Sequence, residues 1–242
     1  DGEPLDHLGL LAPDIACPHC HGRLPQGFTE FPHSIFSLVG APSCGKSNFL
    51  AILRDKLPKV LLNKLNVSFS DQDPEFNLTL NNRTQQILAA STVAEACLDK
   101  TQIAGADGFH KVVKDGKTLE LPVPYFFFIS DLLTPGKEIS LCFYDNAGEH
   151  FLPTHVAEND TRIQHLKRAA SLIFMFDPVS NKEFRRRLRH DEDAPQWELK
   201  YQDCQDVILA QIHNEIADLG SYVKRCRAPL AVVLAKSDLW MH

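Results

Sequence analysis

The sequence predicts an α/β fold with a largely parallel central sheet covered on both faces. Three observations predict it. Apolar runs of strand length recur at about 35–39, 139–144, 171–176 and 229–234. Segments with helical spacing separate them. Each run ends in a loop carrying polar residues or glycine, where sheets of this kind bind ligands. Strands without polar alternation are those buried on both sides, which a parallel sheet requires.

Taken in order, residues 1–33 read as an irregular N-terminal segment around "CPHCHGRLP", ahead of one domain over 34–242. "SIFSLVG" predicts the first strand. A helix follows from Lys46 to about Lys56, with Phe49, Leu50, Ile52 and Leu53 on one side, and Pro58 is expected to stop it. Residues of about 59–100 read as a helical insertion: "KVLLNKL", a polar turn "SFSDQDPEF", then a helix "RTQQILAASTVAEACLD". "FHKVVKDGKTLEL" predicts a hairpin turning at Asp115-Gly116. "PYFFFISDLL" and "EISLCFYD" predict two strands joined by "TPGK". A helix "DTRIQHLKRAA" leads to the apolar strand "SLIFMFD". "FRRRLRHDEDAPQWE" reads as surface, a long helix covers about Tyr201 to Lys224, and "APLAVVLA" predicts a last buried strand.

Composition narrows the class. A chain of 242 residues that is 44% hydrophobic can bury a substantial core. A net charge of −6 argues against a nucleic-acid-binding protein. No apolar run reaches the ~18 residues of a membrane span. No basic-then-apolar leader opens the chain, which begins at Asp1 rather than Met, as a piece of a longer protein would. Seven cysteines without regular spacing read as reduced thiols of a cytoplasmic protein.

Three motifs carry the chemistry. "GAPSCGKS" fits G-x-x-x-x-G-K-[ST] between a predicted strand and helix. Gly40 and Gly45 let the backbone turn tightly, so that the N–H groups across Ala41, Pro42, Ser43 and Cys44 and into Asn48 surround a phosphate at a helix N-terminus. Proline contributes only shape there. Lys46 reaches the β- and γ-phosphates and Ser47 offers a hydroxyl to Mg²⁺. "LCFYDNAGEHF" ends another strand; Asp145 there suits Mg²⁺ held through water, and Gly148 can offer a backbone N–H to a γ-phosphate. Asp, Asn and Gly also suit an ordinary turn, but the position after a phosphate loop favours the functional reading. "AVVLAKSDLW" ends the last strand; Asp238 can accept from a guanine ring N–H and amino group while the Lys236 stem lies along the base.

In this order, the phosphate loop, "DNAG" and "AKSD" resemble the translation-factor-related class of P-loop GTPases, over roughly Ser34 to Asp238. More narrowly, the chain resembles bacterial double-GTPase-type domains with a "CPxCH" zinc-ribbon-like segment ahead of the loop. The resemblance implies a three-layer P-loop NTPase fold, binding of GTP and GDP with Mg²⁺, and a switch whose output is an effector, a regulatory protein or a second GTPase. It implies Lys46, Glu149 and Thr101 as catalytic groups, and Ser47, Thr101 and Asp145 around Mg²⁺. Thr101 in "LDKTQIAG" is the best switch threonine; Thr79, Thr84 and Thr92 compete.

Three departures from the family pattern stand out. Ala235 replaces the Asn or Thr that ties the base loop to the phosphate loop. Glu149 replaces the Gln that orients water, which predicts slow hydrolysis. A further strand and helix are expected beyond His242.

Cys17 and Cys20 have zinc-knuckle spacing, with His7, His19, His21 and His33 as local donors for a structural Zn²⁺; a metal-free or partial remnant and a redox pair are the competing readings. Cys44 is read as a small filler, though helix N-termini can activate thiols. Arg185, Arg186, Arg187 and Arg189 read as a solvated face, with a partner contact or an arginine finger as sharper alternatives. A nucleotide-binding pseudo-GTPase scaffold and a P-loop ATPase are the competing functions.

Overall fold

The computed structural model describes residues 15–16, 23–96, 109–114, 117–152, 161–187, 204–217 and 228–237. The protein is α/β with a mixed six-stranded sheet. In chain order the elements are β1 (Ile15–Ala16), β2 (Arg23–Leu24), β3 (His33–Gly40), α1 (Lys46–Leu65), β4 (Val67–Asp71), α2 (Leu78–Ala89), α3 (Val93–Ala96), β5 (Phe109–Lys114), β6 (Lys117–Pro122), β7 (Tyr125–Asp131), β8 (Glu138–Asp145), β9 (Ser171–Phe176), α4 (Lys182–Arg187), α5 (Gln205–Ala217) and β10 (Leu230–Leu234). 3-10 segments cover Gly148–Phe151, Thr161–Arg168 and Pro178–Ser180.

The sheet order is β10-β9-β3-β8-β7-β4. The pairings β10·β9, β9·β3 and β3·β8 are parallel. Those of β8·β7 and β7·β4 are antiparallel. Leu38 and Val39, neighbours on β3 that face opposite sides of the sheet, are both fully buried, so both faces are covered. Helix α1 packs on β3, β8, β4 and α2, while α5 packs on β3. Across three strands in the core, Phe69 stacks on Phe127 and Phe127 meets Phe143 edge-on.

Several expectations need correction. Helix α1 does not stop at Pro58 but runs through it to Leu65. The proline removes one hydrogen bond at a half-buried position, while Leu57 and Leu61 on either side pack against the core and carry the helix onward. The insertion over 59–100 is not purely helical: β4 lies in it and forms the sheet edge beside β7. Its helix is broken, with α2 ending at extended Ala90 and Thr92 Oγ1 accepting from Glu95 N to start α3. "DTRIQHLKRAA" forms a 3-10 segment. Strand β10, expected to be buried, is the sheet edge, leaving Leu230, Val232 and Leu234 about half exposed. An apolar run reads alike in either place.

Other expectations hold. The 109–122 hairpin pairs Lys114 with Lys117 across a two-residue loop, and β7 and β8 pair around the predicted turn. Among the described residues, no helix is long and apolar enough to cross a membrane.

Candidate functional site

Strands β3, β8, β9 and β10 run parallel and side by side, so their carboxyl ends share one edge of the sheet. The loops after them carry Gly40–Ser47, Asp145–Gly148, Asp177 and Ala235–Lys236. Three of these loops were singled out from sequence, and the parallel order brings them to the same edge.

The loop after β3 leads into a helix start that no side chain caps. Gly45 is the N-cap of α1 at φ 94°, a left-handed conformation that side chains resist, and no side chain caps the helix. The first N–H groups of a helix lack intrahelical acceptors and carry its positive end. The first turn of α1 contains no acidic residue to compete for them. Lys46 is buried and folds back over the loop, its Nζ donating to Gly40 O at 3.1 Å and Ala41 O at 2.9 Å.

The loop after β8 meets it. Ser47 Oγ donates to Asp145 Oδ2 at 2.7 Å across 98 residues of chain. The Asp145 side chain is 3% exposed, and its Oδ1 is buried without a hydrogen-bond partner. Burial pushes the Asp145 carboxyl up, against the Ser47 hydrogen bond and the charges of Lys46 and Arg83, which pull it down. Gly148 presses on the first loop: a Cβ there would overlap Pro42 N and the carbonyl carbon of Ala41. Glu149 is half-buried beside it and His150 fully buried. The hard oxygens of Ser47 and Asp145, one of them orphaned, fit a Mg²⁺ ion.

At the β9 and β10 ends, Ala235 N donates to Phe176 O at 2.8 Å. Lys236, at φ 53°, places Nζ 2.8 Å from Asp177 Oδ2. Gln205 on α5 holds Asp177 by both backbone atoms, accepting from its N at 2.7 Å and donating to its O at 2.9 Å. Buried Ala235 presents only a methyl group.

Cys44 is fully buried, and burial pushes its thiol up rather than down, so it fills space in the loop. Of the competing threonines, Thr84 is buried and donates to Leu80 O, and Thr92 starts α3. Thr79 is half-buried on α2. Arg185, Arg186 and Arg187 lie on α4, which buries no residue, and Arg186 pairs with Glu183. Thr101, Asp238, Arg189, Cys17 and Cys20 lie outside the described residues; β1 and β2 pair antiparallel on either side of the two cysteines. No group of three or more metal-ligating side chains occurs among the described residues.

Sequence reasoning missed Arg83, Tyr125, Asp177 and Gln205. Arg83 Nη1 lies 3.8 Å from Asp145 Oδ2 and 3.5 Å from the Tyr125 hydroxyl. A signal for it existed: Arg83 shares a helical stripe with Leu80, Thr84 and Ile87, and arginine on a core-facing stripe needs a reason. Comparison with known proteins finds no matching family model, curated protein or solved structure.

Proposed function

We propose that the chain is a Mg²⁺-dependent GTP-binding and GTP-hydrolysing switch on a P-loop NTPase fold, acting in the cytoplasm through a protein partner. One observation carries the reading: Ser47 and Asp145 meet at 2.7 Å, leaving a buried carboxylate oxygen without a partner beside an uncapped helix N-terminus. A turn and a surface lysine would not need that convergence.

Ser47 and Asp145 would hold Mg²⁺, with Thr101 as the proposed switch ligand. When bound, the ion supplies charge neutralisation to the phosphate oxygens. The chain's own residues do the rest. Lys46 exchanges its two carbonyl acceptors for β- and γ-phosphate oxygens. The loop N–H groups from Gly40 to Asn48 bind the phosphates, and Gly148 offers its N–H to the γ-phosphate. Glu149 orients water. The water oxygen bonds to the γ-phosphorus as the bond to the β–γ bridging oxygen breaks. The electron pair leaves on GDP, and the water's proton passes to the released phosphate. Lys236 and Asp238 read guanine. Departure of the γ-phosphate frees Gly148 and its neighbours to move, which is the output to a partner. Cys17 and Cys20, bracketed by β1 and β2, would contribute to a structural Zn²⁺ site.

The second reading, a scaffold that binds without hydrolysing, is favoured by Glu149 and Ala235. Single-turnover conversion of bound GTP separates the two. The proposal expects slow release of phosphate that Glu149→Ala slows by about a hundredfold or more, the lower end of what a positioned acid–base group contributes. GTP that stays intact on the protein over hours contradicts the hydrolase and leaves the scaffold.

A further inference from the structure

Arg83 belongs to no motif, yet its guanidinium stands at the Ser47–Asp145 junction. Three facts place it there. Helix α2 is fixed at its start, where fully buried Asn77 donates to Phe126 O at 2.7 Å and accepts from Phe126 N at 2.9 Å. It is fixed again where buried Leu80 and Thr84 pack toward α1, with Thr84 Oγ1 3.4 Å from Ala51 O. The Arg83 side chain lies on that same stripe and is 17% exposed.

What it touches there is poor. Its distance to Asp145 Oδ2, 3.8 Å, exceeds that of a hydrogen bond. Its bond to the Tyr125 hydroxyl, 3.5 Å, is at the limit. Both involve Nη1; Nε and Nη2 make no hydrogen bond among the described residues. A guanidinium with five donors, mostly out of water and barely hydrogen-bonded, is costly to hold. Asp145 does not resolve this. Ser47 holds its Oδ2, and in the proposed complex its charge goes to a cation. Arg83 then stands desolvated and without a close anion, on a helix held at two points, facing the same carboxylate oxygen as the serine that ends the phosphate loop.

We infer that Arg83 is a catalytic arginine supplied in cis by α2, donating to the terminal phosphate of a bound nucleoside triphosphate. This rests on the nucleotide reading above and goes further by naming the group that replaces the external or basic-run arginine. Its fork matches phosphate oxygens bidentately, and it neutralises the charge that spreads over the γ-phosphoryl group as the bridging bond breaks.

The test uses the full chain with excess Mg²⁺, titrated with GDP and with a non-hydrolysable GTP analogue, for the parent, Arg83→Ala and Arg83→Lys. Single-turnover GTP hydrolysis is measured alongside. The inference expects Arg83→Ala to hold GDP within about twofold of the parent and to bind the triphosphate at least about tenfold more weakly. Hydrolysis falls about a thousandfold. Arg83→Lys regains triphosphate affinity but little hydrolysis, because an ammonium lacks the fork. Equal changes for GDP and triphosphate, or none with hydrolysis intact, overturn it and make Arg83 a counter-ion of Asp145 only. Should Arg83→Ala not fold, judged by its thermal transition, Arg83→Lys decides alone: hydrolysis lost with GDP affinity kept supports the inference, and hydrolysis kept overturns it. A parent that binds neither nucleotide overturns the underlying reading as well, before any variant is compared.

Discussion

At Gly148 a single hydrogen in place of a side chain lets two loops touch. Any Cβ there would overlap the backbone of Ala41 and Pro42, which belongs to the other loop and cannot rotate away. Gly148→Ala is therefore expected to push the 3-10 turn off the Gly40–Ser47 loop and lower stability by about 1–3 kcal/mol, the usual range for overpacking. Denaturant unfolding checks this, and an unchanged midpoint contradicts the contact. Such residue-scale features were partly legible. Gly40, Lys46, Ser47, Asp145 and Gly148 stand in spaced motifs whose residue types are tied to one chemistry. Asp177 and Gln205 carry no motif, since their roles arise only when α5 is brought to the end of β9. Cys44 is a simpler case: it was read as a filler against the activation that a helix start allows, and complete burial decides for the filler.

Among the elements, α2 shows how polar groups fix a helix in place. Asn77 joins its start to β7 through Phe126 and to β4 through Asp71, at 2.8 Å. Asn77→Ala leaves the buried Phe126 N–H without its acceptor, while Phe126 O keeps Gln72 N at 3.1 Å. The expected loss is roughly 1–3 kcal/mol, the cost of one orphaned buried donor. A thermal or denaturant transition that does not move contradicts it. Element type was legible where periodicity was long or unbroken, as in β3, β8 and β9. The type of α1 was legible but its end was not, because a proline rule is local and the packing of Leu57 and Leu61 is not. Element type was missed at β4, where "VSFSD" carries too few apolar residues to announce an edge strand, although Phe69 is buried and stacks on Phe127.

For the whole molecule, the decisive fact is the order of four strands. Parallel β10, β9, β3 and β8 deliver loops scattered over almost 200 residues to one edge. Sequence could expect this, because parallel sheets gather ligands at their carboxyl ends. It could not give the antiparallel β7 and β4, which set Tyr125 and α2 beside that edge and bring in Arg83. The central claim is that the edge reads a guanine nucleotide through its phosphates and its base together. The most direct test is the affinity of the full chain for Mg²⁺·GTP against Mg²⁺·ATP, with Lys46→Ala beside it. The account predicts GTP bound at least about tenfold tighter than ATP, with binding lost in the variant. Equal or ATP-preferring affinity, or GTP binding that survives Lys46→Ala, would contradict it.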